Sequence, residues 1–189
     1  MAQAKTLNQA EIDQVLRYIA SKQRYAIRNK AMLLTSLYSG MRVGEIASLR
    51  ICDVQNDDGT IRGEIRLSSS QTKGNVGRVV FVNDKLRTEL MSYLHAHKVK
   101  DRTQPLFYTE KRSGFTSNTL TQWFFWLYKK SGVSSASSHS GRRTFITNLA
   151  NKGVGVRVLA SLAGHKSINT TQIYIETNDE IKRNAVELI

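Results

Sequence analysis

The chain has 189 residues and 21.3 kDa, with 40% apolar and 23% charged residues, so it can bury a core and is not wholesale disordered. A single cysteine, Cys52, excludes an internal disulfide and a cysteine-rich zinc site. No apolar run nears membrane length and the start carries no signal-like layout, so the expectation is a soluble intracellular domain, with a net charge of +13 that points to a polyanion.

In chain order, Asn8 to Ala20 predicts a helix. Asn8 can cap it, Glu11 holds the capping-box position, and Ile12, Val15, Leu16 and Ile19 share one face. Arg28 to Ser39 is apolar nearly all round and predicts a buried helix ending at Gly40. A short helix follows from about Val43 to Leu49. Asn56-Asp57-Asp58-Gly59 marks a turn. Glu64 to Ser69 alternates, with Ile65 and Leu67 on one face, and Arg78 to Val82 is β-branched and aromatic. The two predict an antiparallel hairpin with a flexible tip at Lys73–Gly77. Helices are then expected at Lys85–His97, Thr119–Lys130, Arg142–Asn151, Val156–Ala163 and Asn169 to about Glu176. A tail helix, Asp179–Leu188, carries Ile181, Ala185 and Leu188 on one face. The fold class is mostly α (α+β), with a small antiparallel sheet near the middle.

The charge is uneven. From Lys111 to Ile175 there is no Asp or Glu, while nine lysines and arginines fall there. Such a stretch suits a surface that faces phosphates, although separate solvated helix faces give shorter runs of the same kind.

Four segments stand out. Ser39-Gly40-Met41-Arg42-Val43-Gly44-Glu45-Ile46 sets Arg42 at a helix start after a glycine turn. Gln71-Thr72-Lys73-Gly74 sets a lysine on the hairpin tip. His139-Ser140-Gly141-Arg142-Arg143-Thr144 and Leu162-Ala163-Gly164-His165, which runs on to Tyr174, complete the set. Singly, each has an ordinary explanation. Arg42 can be a surface ion-pair partner, Lys73 a solvated lysine, His139 a helix cap, His165 a helix C-cap contact and Tyr174 a core residue.

Together, the order Arg, Lys, His-x-x-Arg, Gly-His, Tyr resembles the catalytic domain of the tyrosine recombinase (phage integrase) family. So do Arg-x-x-Glu-Ile-x-x-Leu from Arg42 to Leu49 and Gly-His-x-Ser-Ile-x-x-Thr-x-x-Tyr from Gly164 to Tyr174. The resemblance runs from about Leu7 to Ile189. It implies that Arg42, Lys73, His139, Arg142, His165 and Tyr174 are the catalytic residues. Tyr174 would be the nucleophile, Arg42 and Arg142 the phosphate clamp, and Lys73 the acid for the leaving oxygen. His139 would be proton acceptor and phosphate ligand, and His165 a phosphate donor. Glu45, one turn along from Arg42, is either a support for an arginine or an ordinary surface pair. No metal, cofactor or ATP is called for.

Arg143 stands where a histidine is common in the family. The partner implied is double-stranded DNA, with a homo-oligomer of two to four copies assembled on it through the tail at 179–189, with accessory DNA-bending proteins and with no membrane. The expected setting is the cytoplasm, at the nucleoid, for a prokaryotic or phage-encoded protein. The whole chain, 1–189, is expected to be one catalytic domain without the core-binding domain that full-length members carry ahead of it. The alternatives are a nonenzymatic DNA-binding regulator that keeps the fold, or a type IB topoisomerase-like activity.

Overall fold

The computed structural model describes residues 4–97, 101–111, 113–174, 183, 186 and 187. Helix α1 (Gln9–Lys22) opens with the expected capping box. The Glu11 N–H donates to Asn8 Oδ1 at 2.9 Å and the Asn8 N–H donates to Glu11 Oε2 at 3.1 Å. Its buried residues are Val15 and Ile19, from the predicted face.

Helix α2 (Ala26–Ser39) is the axis of the domain. Residues Ala31 to Leu37 are all buried, and the helix packs against α1, α5 (Asp84–His97) and α7 (Ser140–Asn151). Enclosure on several sides explains why its sequence lacks a polar stripe. It ends at Gly40 in the left-handed conformation, as the sequence predicts. The crossing with α7 is close. A Cβ built on Gly141 would lie 2.1 Å from Ser36 Oγ, so only glycine lets the first turn of α7 lie on α2.

Helix α3 (Val43–Ser48) packs against α6 (Ser117–Lys130). One further turn, α4 (Ile51–Val54), escaped the sequence reading because four residues carry no periodic signal. Strands β1 (Glu64–Leu67) and β2 (Arg78–Phe81) pair antiparallel in the register Ile65 with Val80 and Leu67 with Arg78.

Each strand is shorter than predicted, and the connection between them is more ordered. A 3-10 turn covers Ser69–Gln71. Gln71 Nε2 donates to Asp53 Oδ2 at 3.0 Å, which ties this turn to α4, and Thr72 Oγ1 donates to Val76 O at 2.7 Å. Beyond it, Lys73 and Gly74 form the exposed tip.

Helix α8 (Val156–Ala163) has its predicted bounds, and α9 (Asn169–Gln172) is followed by a turn holding Ile173 and Tyr174. The core joins α1 to α6 and the sheet around Met32, Leu33, Ile46, Ile65, Leu86 and Phe124. The predicted tail face (Ile181, Ala185, Leu188) lies outside the described residues. Among the described residues, no helix is long and apolar enough to cross a membrane.

Candidate active site

The site is organised by the carboxyl end of α8. Three consecutive backbone carbonyls there each accept from a different arginine. Leu162 O accepts from Arg78 Nη1 at 2.8 Å, Ala163 O from Arg142 Nη2 at 2.6 Å, and Gly164 O from Arg42 Nη2 at 2.9 Å. The last carbonyls of a helix lack internal partners and carry the negative end of its dipole, so guanidinium groups are favoured there. These arginines come from β2, α7 and the residue before α3. One helix end therefore fixes three cations from three parts of the chain.

Gly164 makes the approach possible. It sits at φ +62, and a Cβ there would lie 2.6 Å from Arg78 Cδ. The His165 N–H then returns to Ala160 O at 2.9 Å, which closes the helix end.

Arg42 and Arg78 are also held by one acid. Glu45 Oε1 accepts from Arg42 Nη1 at 3.0 Å, and its Oε2 accepts the Arg42 N–H at 2.8 Å. Arg78 reaches both carboxylate oxygens, with Nε at 3.3 Å and Nη2 at 2.7 Å. The Glu45 side chain is 1% exposed. Burial pushes its carboxyl up, but the hydrogen bond and charge of Arg78, followed by the Arg42 N–H and charge, outweigh this and hold it below the usual range. Glu45 is thus a buried support for two arginines and not a surface pair.

Arg142 is buried, and its Nη1 donates to Gly40 O at 2.6 Å, so the two ends of its guanidinium tie α2 to α8. Burial lowers its pKa to about 10, with the Arg42 and Arg78 charges adding to the effect. It stays charged near neutral pH.

Both histidines are neutral near pH 7. His139, half-buried, falls below its ordinary value through burial and then through the charges of Arg142, Arg42 and Lys73. It sits at the cap position of α7 but its side chain makes no capping bond, so the ordinary explanation offered by the sequence does not apply. His165 is lowered to about 4 by burial and by Arg142, Arg42 and Arg78. Its Nδ1 lies 2.8 Å from Thr171 Oγ1.

Two adjoining clefts collect these groups. One, of about 620 Å³, is lined by Arg42, Lys73, Arg78, His165 and Lys166 among others. Another, of about 490 Å³, is lined by His139, Arg142, Arg143 and Tyr174. The Tyr174 ring stacks on His165, with centroids 6.1 Å apart and planes at 18°. All six sequence candidates therefore lie along these two clefts, which Arg42 and Arg142 join through neighbouring carbonyls of α8. Among the described residues, no group of three or more His, Cys, Asp or Glu could hold a metal ion.

Arg78 was missed. A signal for it existed, because in the hairpin register Arg78 faces Leu67, and cross-strand partners share a face. An inward Leu67 makes Arg78 an inward arginine.

The chain is similar in sequence and in fold to known proteins. A model of the phage integrase family matches residues 5–180. The chain is 30% identical over 166 residues to the tyrosine recombinase XerA of Pyrococcus horikoshii, covering 85% of this chain and 54% of that protein. It also resembles the crystal structure of a XerA recombinase, with TM-score 0.77 and 27% identity, over 100% of this chain and 66% of that one. The integrase of transposon Tn1549, solved in complex with transposon right-end DNA, shares the fold at TM-score 0.76 and 19% identity, over 100% of this chain and 67% of that one. The chain spans about half the length of the curated relatives it matches.

Proposed function

The chain belongs to the phage integrase family, and from that premise we propose that it cleaves and rejoins DNA strands at specific sites, with Tyr174 as nucleophile. The observation that carries this reading is the placing of Arg42 and Arg142 on the adjacent carbonyls of Gly164 and Ala163, beside His165. Two fixed guanidinium groups supply planar, always-charged donors for the nonbridging oxygens of one phosphate. Because they are already oriented, they stabilise the extra negative charge of the transition state without reorganising.

The step balances within the DNA and the protein. Tyr174 Oη forms a bond to phosphorus as the bond from phosphorus to O5′ breaks. The products are a 3′-phosphotyrosyl link and a free 5′-hydroxyl. Neutral His139 can take the phenolic proton, and Lys73 on the hairpin tip gives a proton to O5′. A Thr171 hydroxyl that donates to His165 Nδ1 leaves the ring proton on Nε2, ready for a phosphate oxygen. One phosphoester bond replaces another, so rejoining by the 5′-hydroxyl needs no ATP, and no step calls for a metal.

Double-stranded DNA is the partner that the charge favours. On this reading the protein works at the nucleoid of a prokaryotic cytoplasm, whether host- or phage-encoded. It assembles as two to four copies on DNA through residues 179–189, with accessory DNA-bending proteins completing the complex. Deletion of 179–189 should then abolish assembly on DNA while a single copy still binds.

The decisive experiment is covalent trapping. The protein is incubated with a random-sequence library of nicked duplexes, denatured, and examined for a protein–DNA adduct. Wild type should give one, and Tyr174→Phe should give none while still retarding DNA. An adduct that persists in Tyr174→Phe removes the nucleophile assignment. Retardation without any adduct from wild type supports a nonenzymatic DNA-binding protein instead.

A further inference from the structure

The chemistry above leaves Arg143 unused, yet Arg143 touches the nucleophile. Its Cζ lies 5.1 Å from the centre of the Tyr174 ring, and its Nε donates to Thr6 Oγ1 at 3.1 Å. The next residue makes a second attachment to the same leading segment, because Thr144 Oγ1 accepts the Leu7 N–H at 2.8 Å. Leu7 is buried, and Ala4 lines the cleft that holds Tyr174, His139 and Arg142. Residues 4–7 are therefore fastened to α7 at two successive positions, and one of these is the guanidinium that lies over Tyr174.

We infer that Arg143 is a positioning residue for Tyr174, and that residues 4–7 set its aim through Thr6. The inference rests on the reading of Tyr174 as nucleophile. Two adjacent arginines divide the work. Arg142 is spent on the carbonyls of Gly40 and Ala163 at the phosphate clamp. Arg143 lines the same cleft but lies over the Tyr174 ring. A cation over an aromatic face is held by the ring quadrupole and fixes the plane of the ring. In-line attack requires Oη within narrow limits of distance and angle, so restricting the ring raises the fraction of encounters that react. The Thr6 hydroxyl in turn holds the guanidinium. A shift of residues 4–7 would move Arg143 and change the readiness of Tyr174 without touching the phosphate clamp.

The test is single-turnover adduct formation on the duplex enriched from the nicked library, measured against DNA concentration. Arg143→Ala should lower the plateau rate about tenfold and leave the half-saturating DNA concentration within about twofold. Arg143→Lys, which keeps charge but loses the planar stack, should fall between. Thr6→Val should lower the plateau about threefold with Arg143 in place, and it guards against an Arg143→Ala that fails to fold. On a substrate with sulfur at the 5′-bridging position, which needs no acid to leave, the Arg143→Ala defect should persist.

Three results overturn the inference while Tyr174 remains the nucleophile. They are unchanged kinetics in all variants, a rise in half-saturating DNA at constant plateau (a phosphate contact), or full rescue by the sulfur substrate (a role at the leaving oxygen). No adduct from wild type overturns the underlying reading and the inference with it.

Discussion

Glu45 and Arg78 form a two-point ion pair in the interior, with Arg78 Nη2 at 2.7 Å from Oε2 and Nε at 3.3 Å from Oε1. Arg42 shares the same carboxylate. Removing one partner of a buried pair leaves the other charge uncompensated, which typically costs about 3–5 kcal/mol. Glu45→Ala strands two guanidinium groups, so a loss of about that size is expected in urea unfolding. Glu45→Gln keeps an acceptor and should lose less. A Glu45→Ala protein within about 1 kcal/mol of wild type would show that the arginines are held by the α8 carbonyls alone.

The same pair sets an acid limit on stability. The folded Glu45 carboxyl lies below its ordinary value of 4.5, so in acid the unfolded chain binds the proton first. The contribution of Glu45 is therefore complete above about pH 5 and is lost as pH falls through the lowered folded value. Unfolding midpoints measured from pH 7 down to pH 3 should fall for wild type, and fall less steeply for Glu45→Gln. Parallel curves would remove Glu45 as the source.

The two histidines give activity its own acid limb. Burial comes first in lowering both, and neighbouring arginines add to it, so both are neutral at pH 7, with His165 titrating near 4. A neutral His139 can accept the Tyr174 proton, and a protonated one cannot. Adduct formation should hold level from pH 7 to 8 and decline below the ordinary histidine value of 6.5, with the break set by His139 and displaced to the acid side. His139→Gln should lower the level-region rate and flatten this limb. A wild-type rate that still climbs steeply between pH 7 and 8 would mean that a different group takes the proton.

The sequence shows where chemistry comes from more readily than what holds it in place. Capping, glycine ends and periodicity located α1, α2 and α8 to within a residue or two, because each signal is local. The six candidate residues were legible as a set, in order and spacing. Arg78 was not, and Glu45 stayed open between a support for an arginine and a surface pair, because what decides both is pairing across the fold, β2 against the end of α8 and α3 against β2. The order around the 3-10 turn was hidden for the same reason, since its anchor is Asp53, 18 residues back from Gln71.

Thr171 is the clearest small test of His165. It is fully buried, and its Oγ1 is 2.8 Å from Nδ1. Thr171→Val keeps the shape and removes the hydroxyl that partners that nitrogen. The ring then loses the bond that orients Nε2 toward the phosphate, a contribution of about 0.5–1.5 kcal/mol, or roughly tenfold in rate at the upper end. The loss should appear in the plateau of adduct formation and not in DNA affinity. A change in affinity alone would make Thr171 a packing residue with no bearing on His165.

The close crossing of α2 and α7 links packing to the phosphate clamp. Gly141 precedes Arg142, and a Cβ at Gly141 would meet Ser36 Oγ at 2.1 Å and Ser36 Cβ at 2.9 Å. Gly141→Ala must therefore push α7 away from α2. Overpacking of this kind costs about 1–3 kcal/mol. It also shifts Arg142, whose guanidinium spans Gly40 O on the α2 side and Ala163 O on the α8 side with bonds of 2.6 Å each. Helix displacement should strain this bridge, so the variant should lose adduct-forming rate beyond what its lower stability explains. The two nearest atoms belong to the Ser36 side chain, with the backbone carbon of Ser36 at 3.1 Å behind them, so Ser36→Gly relieves most of the clash. The double variant Ser36→Gly/Gly141→Ala should recover both stability and rate relative to Gly141→Ala, giving a favourable coupling of about 1–2 kcal/mol in the cycle. Additive losses would mean that Gly141 matters for its backbone alone, and that the α2–α7 contact does not set the position of Arg142.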